Sequence, residues 1–151
     1  MKMGIVTTDI GSVILHVEEG YLVRIELTEK ALLPVDLPPF TSQLVEYFQK
    51  ERTSFSLNFR MEGTDFQRKV WQTLMKIPYG SIVTYCGLSK ELFGSEGCRY
   101  ARAIGQVLKR NPLPIVVPCH RVVAKNGLGG FSSGTRWKKY LLSLERGENL
   151  F

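Results

Sequence analysis

Acidic residues are missing from the 48 residues between Gly97 and Leu144, although this stretch holds nine lysines and arginines. Residues 1–96 carry ten basic and twelve acidic residues, so the net charge of +6 belongs to one end of the chain. This asymmetry favours a polyanion as the partner. A solvated surface that happens to be basic would give the same count, but nucleic acid is the partner that the pattern favours.

Long apolar runs are also missing. No hydrophobic segment approaches the roughly 20 residues that cross a bilayer, which argues against a membrane-spanning protein. Residues 1–12 lack the apolar core and the small-residue cleavage site of a signal peptide. We therefore expect a cytoplasmic protein.

Cysteine is scarce, with only Cys86, Cys98 and Cys119 along the chain. An odd and sparse set is a poor disulfide framework, which agrees with a reducing compartment. A bridge between Cys86 and Cys98 stays open as an alternative, although the pattern disfavours it. Three cysteines and two histidines at these spacings do not supply the four ligands of a zinc site, so we expect no metal.

The first third of the chain is rich in β-branched residues, and its length suits a small domain. Three short segments separated by turn-like residues predict an antiparallel meander: 4–9, 12–19 and 21–27. A helix is predicted from Thr41 to Glu51, followed by a strand-like segment at 54–59. The apolar face of this helix is predicted to consist of Leu44, Val45 and Phe48.

A change of composition near residues 61–64 marks a second part, so we expect an N-terminal domain of residues 1–60 and a C-terminal domain of residues 63–151. Thr64 and Gln67 have the spacing of a capping box. The helix that follows repeats its apolar residues at helical spacing: Phe66, Val70 and Leu74.

Two further helices are predicted on either side of a glycine-containing turn. The first covers residues 87–93 and stops at Gly94, and the second runs from about Arg99 to Arg110. This is the outline of a helix-turn-helix, although many helical corners share it. The second helix has two faces. Its apolar face contains Tyr100, Ala101, Ile104, Val107 and Leu108, and its polar face contains Arg99, Arg102, Gln106, Lys109 and Arg110.

A thiol and an imidazole stand side by side at Cys119 and His120, after the apolar, proline-flanked stretch 114–118. The prolines predict a stiff, strand-like segment that delivers a buried thiol. Such a thiol reacts only if a base or a positive charge assists it, and His120 is the obvious base. Glu145 is a candidate to orient the imidazole, although a surface position is the commoner one for a lone carboxylate. A buried, inert cysteine is the simpler alternative.

Motifs around these residues resemble those of one known family. "PCHRV" at residues 118–122 follows "RNPLPIV" and precedes "NGLGGFSSG" and "LLSLE", and the similarity reaches back through "GTDFQRKVWQTLMKIPYGSIVTY". In this order and at these spacings, the motifs resemble those of the O6-alkylguanine-DNA alkyltransferases, or methylated-DNA–protein-cysteine methyltransferases. The resemblance covers about residues 63–145.

The resemblance implies an α+β fold. Its N-terminal domain would be a small, ribonuclease H-like unit of antiparallel sheet and helix, and its C-terminal domain would be mainly helical and winged-helix-like, with the helix-turn-helix. The implied activity is repair of O6-alkylguanine, and of O4-alkylthymine, in double-stranded DNA. A chain of this kind would act as a monomer at the minor groove, away from membranes.

The resemblance also implies roles for individual residues. Cys119 would accept the alkyl group. His120 would deprotonate the thiol of Cys119 through a water, and Glu145 would orient the imidazole. Asn111 would support the active-site turn and Tyr85 would assist the leaving guanine. Four residues would bind the alkylated base: Val122, Phe131, Ser132 and Ser133. Arg102 would occupy the place in the base stack that the flipped nucleotide leaves. The other residues implied to contact DNA are Ala101, Tyr100, Arg99 and Gln106.

The chemistry so implied needs no cofactor and allows one transfer per chain, because a thioether offers water no activated carbonyl and a very poor leaving group. Three departures from the family pattern concern Tyr100, where a small residue is usual, the turn at residues 93–100, which is longer or less regular than the common turn, and Phe131, where a tyrosine is usual. Two alternatives stay open: a DNA sensor that binds without repairing, whose relatives lack the cysteine, and a cysteine-dependent hydrolase or redox protein, which leaves the basic helix unexplained.

Overall fold

The computed structural model describes residues 1–94 and 98–147. The chain begins with a three-stranded antiparallel sheet in the order β1-β2-β3. Its strands are β1 (Lys2–Thr7), β2 (Ser12–Glu18) and β3 (Tyr21–Thr28). The register pairs Ile5 with Ile14 and Leu15 with Ile25, and alternate side chains of β2 are buried against the core. The predicted meander is confirmed.

Helix α1 spans Phe40–Phe48 and so ends three residues before the predicted Glu51. Val45, predicted to face inward, is exposed, whereas Tyr47 is completely buried. The predicted strand at 54–59 is wrong. Only one bridge, from Phe59 to Leu22, joins this segment to the sheet. Its alternating apolar side chains pack on the core although the backbone is irregular. The alternation that predicted a strand therefore reflects burial and not strand pairing.

The second part of the chain contains helices α2 (Asp65–Leu74), α3 (Tyr85–Phe93), α4 (Ala101–Lys109) and α5 (Thr135–Arg146). Two short strands, β4 (Val83–Thr84) and β5 (Val122–Val123), pair in parallel. The predicted capping box between Thr64 and Gln67 is present at the start of α2. Gly94 ends α3 with a φ of 83°, a left-handed conformation that glycine adopts without steric cost. The α+β class is confirmed.

Helix α4 begins two residues later than predicted. Arg99 and Tyr100 lie in the preceding turn, where the Cys98 carbonyl accepts from the amide of Ala101. The Tyr100 amide donates to Ser89 Oγ at 3.2 Å, which anchors this turn to α3. The apolar pattern of Tyr100 continues that of the helix, so its periodicity does not reveal where the helix starts. Residues 95–97, within the predicted turn, lie outside the described residues.

Cys86 and Cys98 form a disulfide, contrary to the sequence-based expectation. The bond joins the first turn of α3 to the turn before α4, where the two Cα atoms are 4.4 Å apart. Counting cysteines could not reveal this proximity, because it depends on how the turn before α4 packs against the start of α3. Cys119 stays a free thiol.

Helix α5 crosses the core, with Trp137 and Leu141 fully buried. Tyr140 and Leu144 of this helix are buried as well. Among the helices that the structure describes, none is long and apolar enough to cross a bilayer.

Candidate active site

Cys119 lies at the start of a 3-10 turn, Cys119–Arg121, that follows Pro118. The preceding residues 111–118 form bends and turns, so the predicted strand-like delivery of the thiol is wrong. Asn111 closes this loop instead. Its Nδ2 donates to the Val117 carbonyl at 2.8 Å, and its Oδ1 accepts from the Leu113 amide at 2.9 Å. A short polar side chain thus replaces the backbone pairing that a strand would have supplied.

The Cys119 thiol is 5% exposed. Burial raises its pKa to about 11, against the opposing effects of a hydrogen bond from the Asn111 side chain and the positive charge of Lys138. The resting sulfur is therefore a neutral thiol at pH 7. A nucleophilic thiolate requires a base that removes the proton, as the sequence analysis expected for a buried cysteine.

His120 is fully buried, and its Nε2 lies 2.6 Å from Glu145 Oε2. Burial lowers the pKa of the imidazole despite the nearby carboxylate, so the ring is neutral at pH 7. The carboxylate accepts from Nε2–H, which assigns the other tautomeric position, Nδ1, as unprotonated. Nδ1 has no hydrogen-bond partner among the described residues. A neutral ring held in this way can act as a base at Nδ1.

Glu145 is buried, with its side chain only 1% exposed, so the surface position that its sequence context favours is wrong. Arg121 binds the carboxylate with two nitrogens: Nε to Oε1 at 2.8 Å and Nη2 to Oε2 at 3.0 Å. Tyr47 donates to Oε2 at 2.6 Å. Although burial acts to raise the pKa of Glu145, hydrogen bonds from His120 and Arg121 hold that pKa far below its usual range. Glu145 is therefore ionised.

The thiol lies at a cavity of about 420 Å³, a size typical of ligand pockets. Seven residues that the sequence singled out line it: Tyr85, Ala101, Arg102, Gln106, Cys119, Phe131 and Ser132. The other predicted residues do not line this cavity: Arg99, Tyr100, Asn111, His120, Val122, Ser133 and Glu145. Asn111 instead hydrogen-bonds the loop that carries the thiol, and His120 and Glu145 hydrogen-bond each other in the interior.

Tyr85 is the first residue of α3, and the pairing of β4 with β5 places it beside the chain that leaves Cys119. Burial raises the pKa of its hydroxyl, and the nearby Cys119 acts in the same direction, so the phenol stays protonated and can donate. Gly129, with a φ of 75°, packs against this ring. A Cβ at position 129 would lie 3.0 Å from both Cε2 and the hydroxyl oxygen of Tyr85.

Lys138 is buried on α5, and the sequence analysis missed it. Its Nζ donates to the Val122 carbonyl at 2.7 Å and to the Gly130 carbonyl at 3.0 Å, which ties the turn after Cys119 to the loop over the cavity. Burial lowers its pKa to about 8, although the nearby Cys119 acts to raise it. No pattern distinguishes this lysine from the exposed Lys139 beside it, so its burial could not be predicted.

Helix α4 forms the outer wall of the cavity with its polar face. Arg102, Gln106, Lys109 and Arg110 are exposed, whereas Ile104, Val107 and Leu108 are buried, which confirms the two predicted faces. The guanidinium of Arg99, in the preceding turn, lies 5.7 Å from the ring centre of Tyr100. The thiol cavity thus opens beside a positively charged helix.

A search of residues 1–94 and 98–147 finds no group of three or more histidine, cysteine or acidic side chains able to hold a metal ion.

Comparison with known proteins shows the family of the chain. Residues 65–147 match the family model described as the DNA-binding domain of 6-O-methylguanine DNA methyltransferase. The chain is 41% identical over 155 residues to the constitutive methylated-DNA–protein-cysteine methyltransferase of Bacillus subtilis, with 92% of each chain covered.

Solved structures give the same result for the fold. The crystal structure of Mycobacterium tuberculosis O6-methylguanine methyltransferase superposes with a TM-score of 0.82 at 31% identity, covering 96% of this chain and 92% of the other. The M. tuberculosis protein OGT in complex with DNA gives a TM-score of 0.79 at 30% identity, with 95% and 91% covered. By its sequence and its fold, this chain belongs to the family of methylated-DNA–protein-cysteine methyltransferases.

Proposed function

We propose that this chain repairs O6-alkylguanine in double-stranded DNA by taking the alkyl group irreversibly onto Cys119. One observation carries the proposal: the only free thiol among the described residues and the exposed, basic helix α4 line the same cavity. A cysteine-dependent hydrolase has no use for such a helix. The family membership and the DNA complex of the M. tuberculosis protein support the same reading.

Access to the lesion requires base flipping, because the alkyl carbon on O6 of a stacked guanine cannot reach the sulfur of Cys119, a residue that is only 5% exposed. Arg102 is exposed and lines the mouth of the cavity, so it is placed to fill the gap that the flipped nucleotide leaves. We expect helix α4 to lie in the minor groove, where an inserted side chain and contacts to phosphates bind without reading sequence. Ala101 and Gln106 would contact the groove beside it, and Arg99 and Tyr100 would contact the strand from the preceding turn.

Proton removal begins at the thiol. His120 Nδ1 accepts the proton of Cys119 through a water, and Glu145 stabilises the imidazolium that forms. The thiolate then attacks the alkyl carbon: a carbon–sulfur bond forms as the carbon–O6 bond breaks, and the electron pair leaves with the guanine. The protonated hydroxyl of Tyr85 donates a hydrogen bond to that leaving base. Neutral starting states for both thiol and imidazole fit this order of events.

The flipped base would be held by the backbone and the loop over the cavity. Carbonyl oxygens of Cys119 and Val122 would accept from its exocyclic amine, and Lys138 fixes the Val122 carbonyl in place. Phe131 forms an apolar wall, and Ser132 and Ser133 would close over O6. Asn111 supports the turn that carries the thiol.

We further propose that the chain repairs O4-alkylthymine as a second substrate and that it acts as a monomer in the cytoplasm. It includes a ribonuclease H-like domain at 1–60 and a winged-helix-like domain at 63–151. No cofactor is required, because the reaction needs only a sulfur nucleophile and a base. Its product is a thioether, so each chain reacts once.

Intact-mass spectrometry tests the proposal. After incubation with an O6-methylguanine oligonucleotide, the protein should gain the mass of one methylene unit, mapped by peptide analysis to Cys119. The Cys119→Ala variant should bind the same oligonucleotide and gain nothing. Tight binding by the native chain without a mass change would indicate a sensor, and a chain that neither binds nor reacts would favour the hydrolase or redox class.

A further inference from the structure

We propose that Tyr47, in the N-terminal part of the chain, is a positioning residue that sets the pH at which His120 accepts a proton. Tyr47 does this through Glu145, without touching the substrate. The inference rests on the proposed role of His120 as the base for Cys119. It assigns part of the chemistry to a helix that lies outside the family-matched segment, residues 65–147.

Three side chains bind one carboxylate oxygen, Glu145 Oε2, and one of them is Arg121, whose Nη2 donates at 3.0 Å. Tyr47 Oη lies 2.6 Å from Glu145 Oε2, and His120 Nε2 lies 2.6 Å from the same oxygen. Tyr47 is completely buried, and burial together with the charge of Glu145 raises the pKa of its hydroxyl far above the usual value. The hydroxyl therefore stays protonated around neutral pH and donates to Oε2.

Aromatic neighbours fix the direction of this hydroxyl. The Tyr47 ring lies 5.2 Å from that of Phe48, 5.5 Å from that of Phe55 and 6.1 Å from that of Tyr79, measured between ring centres. A ring confined on several sides cannot swing its hydroxyl away from Glu145. Two of these neighbours, Phe48 and Phe55, belong to the N-terminal part, which thereby holds the donor against the carboxylate.

Tyr47 and His120 compete for the same negative charge. Each hydrogen bond to a carboxylate oxygen reduces the ability of that oxygen to stabilise another donor's positive charge. Without the tyrosine hydroxyl, Oε2 would interact more strongly with the imidazolium of His120 and would keep it protonated to a higher pH. Other ionisable groups that act on this pair come from three elements: Tyr79 before β4, Arg121 in the 3-10 turn, and Lys138 on α5.

The test measures benzyl transfer from free O6-benzylguanine to the full-length protein as a function of pH. In Tyr47→Phe, which keeps the ring, the acid-side midpoint of the rate should move upward by about one pH unit, the size expected for a hydrogen bond to a charged group. The matched control is Tyr140→Phe. It removes another buried hydroxyl that joins α5 to the N-terminal part, through Asp9, but touches neither His120 nor Glu145.

A second variant distinguishes loss of the hydrogen bond from a general disturbance of the fold. Site-specific 3-fluorotyrosine at position 47 makes the phenol a stronger donor, so the midpoint should move downward, which a loosened fold would not produce. Identical profiles for the native protein and Tyr47→Phe would overturn the inference, as would an equal shift in Tyr140→Phe.

Failure of the proposed function gives a different result. A native protein that transfers no benzyl group would refute the role of Cys119. The imidazole titration of His120, followed by NMR in a chain with only two histidines, would still report whether Tyr47→Phe raises the pKa of His120. An unchanged imidazole titration overturns the role of Tyr47 alone.

Discussion

The surroundings of Cys119 and the α3–α4 region are built in opposite ways. Around the thiol, His120, Arg121 and Glu145 are all buried, and each is held by hydrogen bonds of 2.6 to 3.4 Å. In α4, Arg102 and Gln106 are exposed side chains at the mouth of the cavity. Reaction chemistry depends on fixed geometry in the interior, whereas binding to phosphates depends on charge that solvent can reach. Substitutions in the two regions should therefore separate reaction from binding.

The largest effect is expected from Glu145→Gln. The change leaves the Arg121 guanidinium buried without its anion, which typically costs about 3–5 kcal/mol of folding free energy. Urea denaturation at pH 7 measures this loss, and benzyl transfer should fall with it because His120 loses its orienting acceptor. Glu91→Gln, on the exposed face of α3, is the matched control and should change neither quantity. A Glu145→Gln protein as stable as the native chain would contradict the claim that the buried charges around Cys119 depend on fixed geometry.

The same carboxylate gives the native protein a pH dependence. Because the pKa of Glu145 is lower in the folded chain than in the unfolded one, its contribution is complete above the unfolded value of about 4.3. The contribution is lost as pH falls from there toward the folded value. Denaturation curves between pH 6 and pH 3 should show this loss in the native chain and a smaller loss in Glu145→Gln.

Removal of the Cys86–Cys98 bond should have an intermediate effect. For a bond between cysteines 12 residues apart, the chain-entropy model predicts a loss of about 2–3 kcal/mol when both are changed to serine. Since the bond lies between α3 and α4, duplex repair should slow more than the reaction with free O6-benzylguanine. Parallel rate measurements on the two substrates check this, and equal slowing would show that the bond supports the thiol rather than the DNA-facing helices.

The smallest effect is expected from Arg102→Ala. Repair of duplex O6-methylguanine should slow about tenfold, the equivalent of one well-placed charged contact, while the rate with free O6-benzylguanine should stay within twofold. Arg68→Ala, on α2 and paired with Asp65, is the control for a general loss of positive charge. Equal losses on both substrates would remove Arg102 from the flipping role.

Sequence patterns predicted the features that local physics determines. The meander, the capping box of α2 and the two faces of α4 depend on neighbouring residues, and all three are confirmed. The start of α4 and the absence of a strand at 54–59 depend on tertiary contacts that periodicity does not encode. The disulfide is of the same kind, because only the packing of two helices brings its cysteines together.

Within the site, the sequence predicted the buried thiol but not what surrounds Glu145. Its burial follows from Arg121 and Tyr47, which approach it from the 3-10 turn and from a helix 98 residues earlier in the chain. In the sequence, Lys138 is one cation of a basic stretch, and no neighbouring residue indicates that its side chain is buried. Long-range partners of a charged group are the part of a site that a single sequence hides.

The absence of a side chain at Gly129 limits which residues this position can accept. Because its missing side chain leaves room for the Tyr85 ring, a methyl group there would push the phenol away from the base without altering any reactive atom. A substitution at a residue that performs no chemistry would therefore change how the leaving base is held.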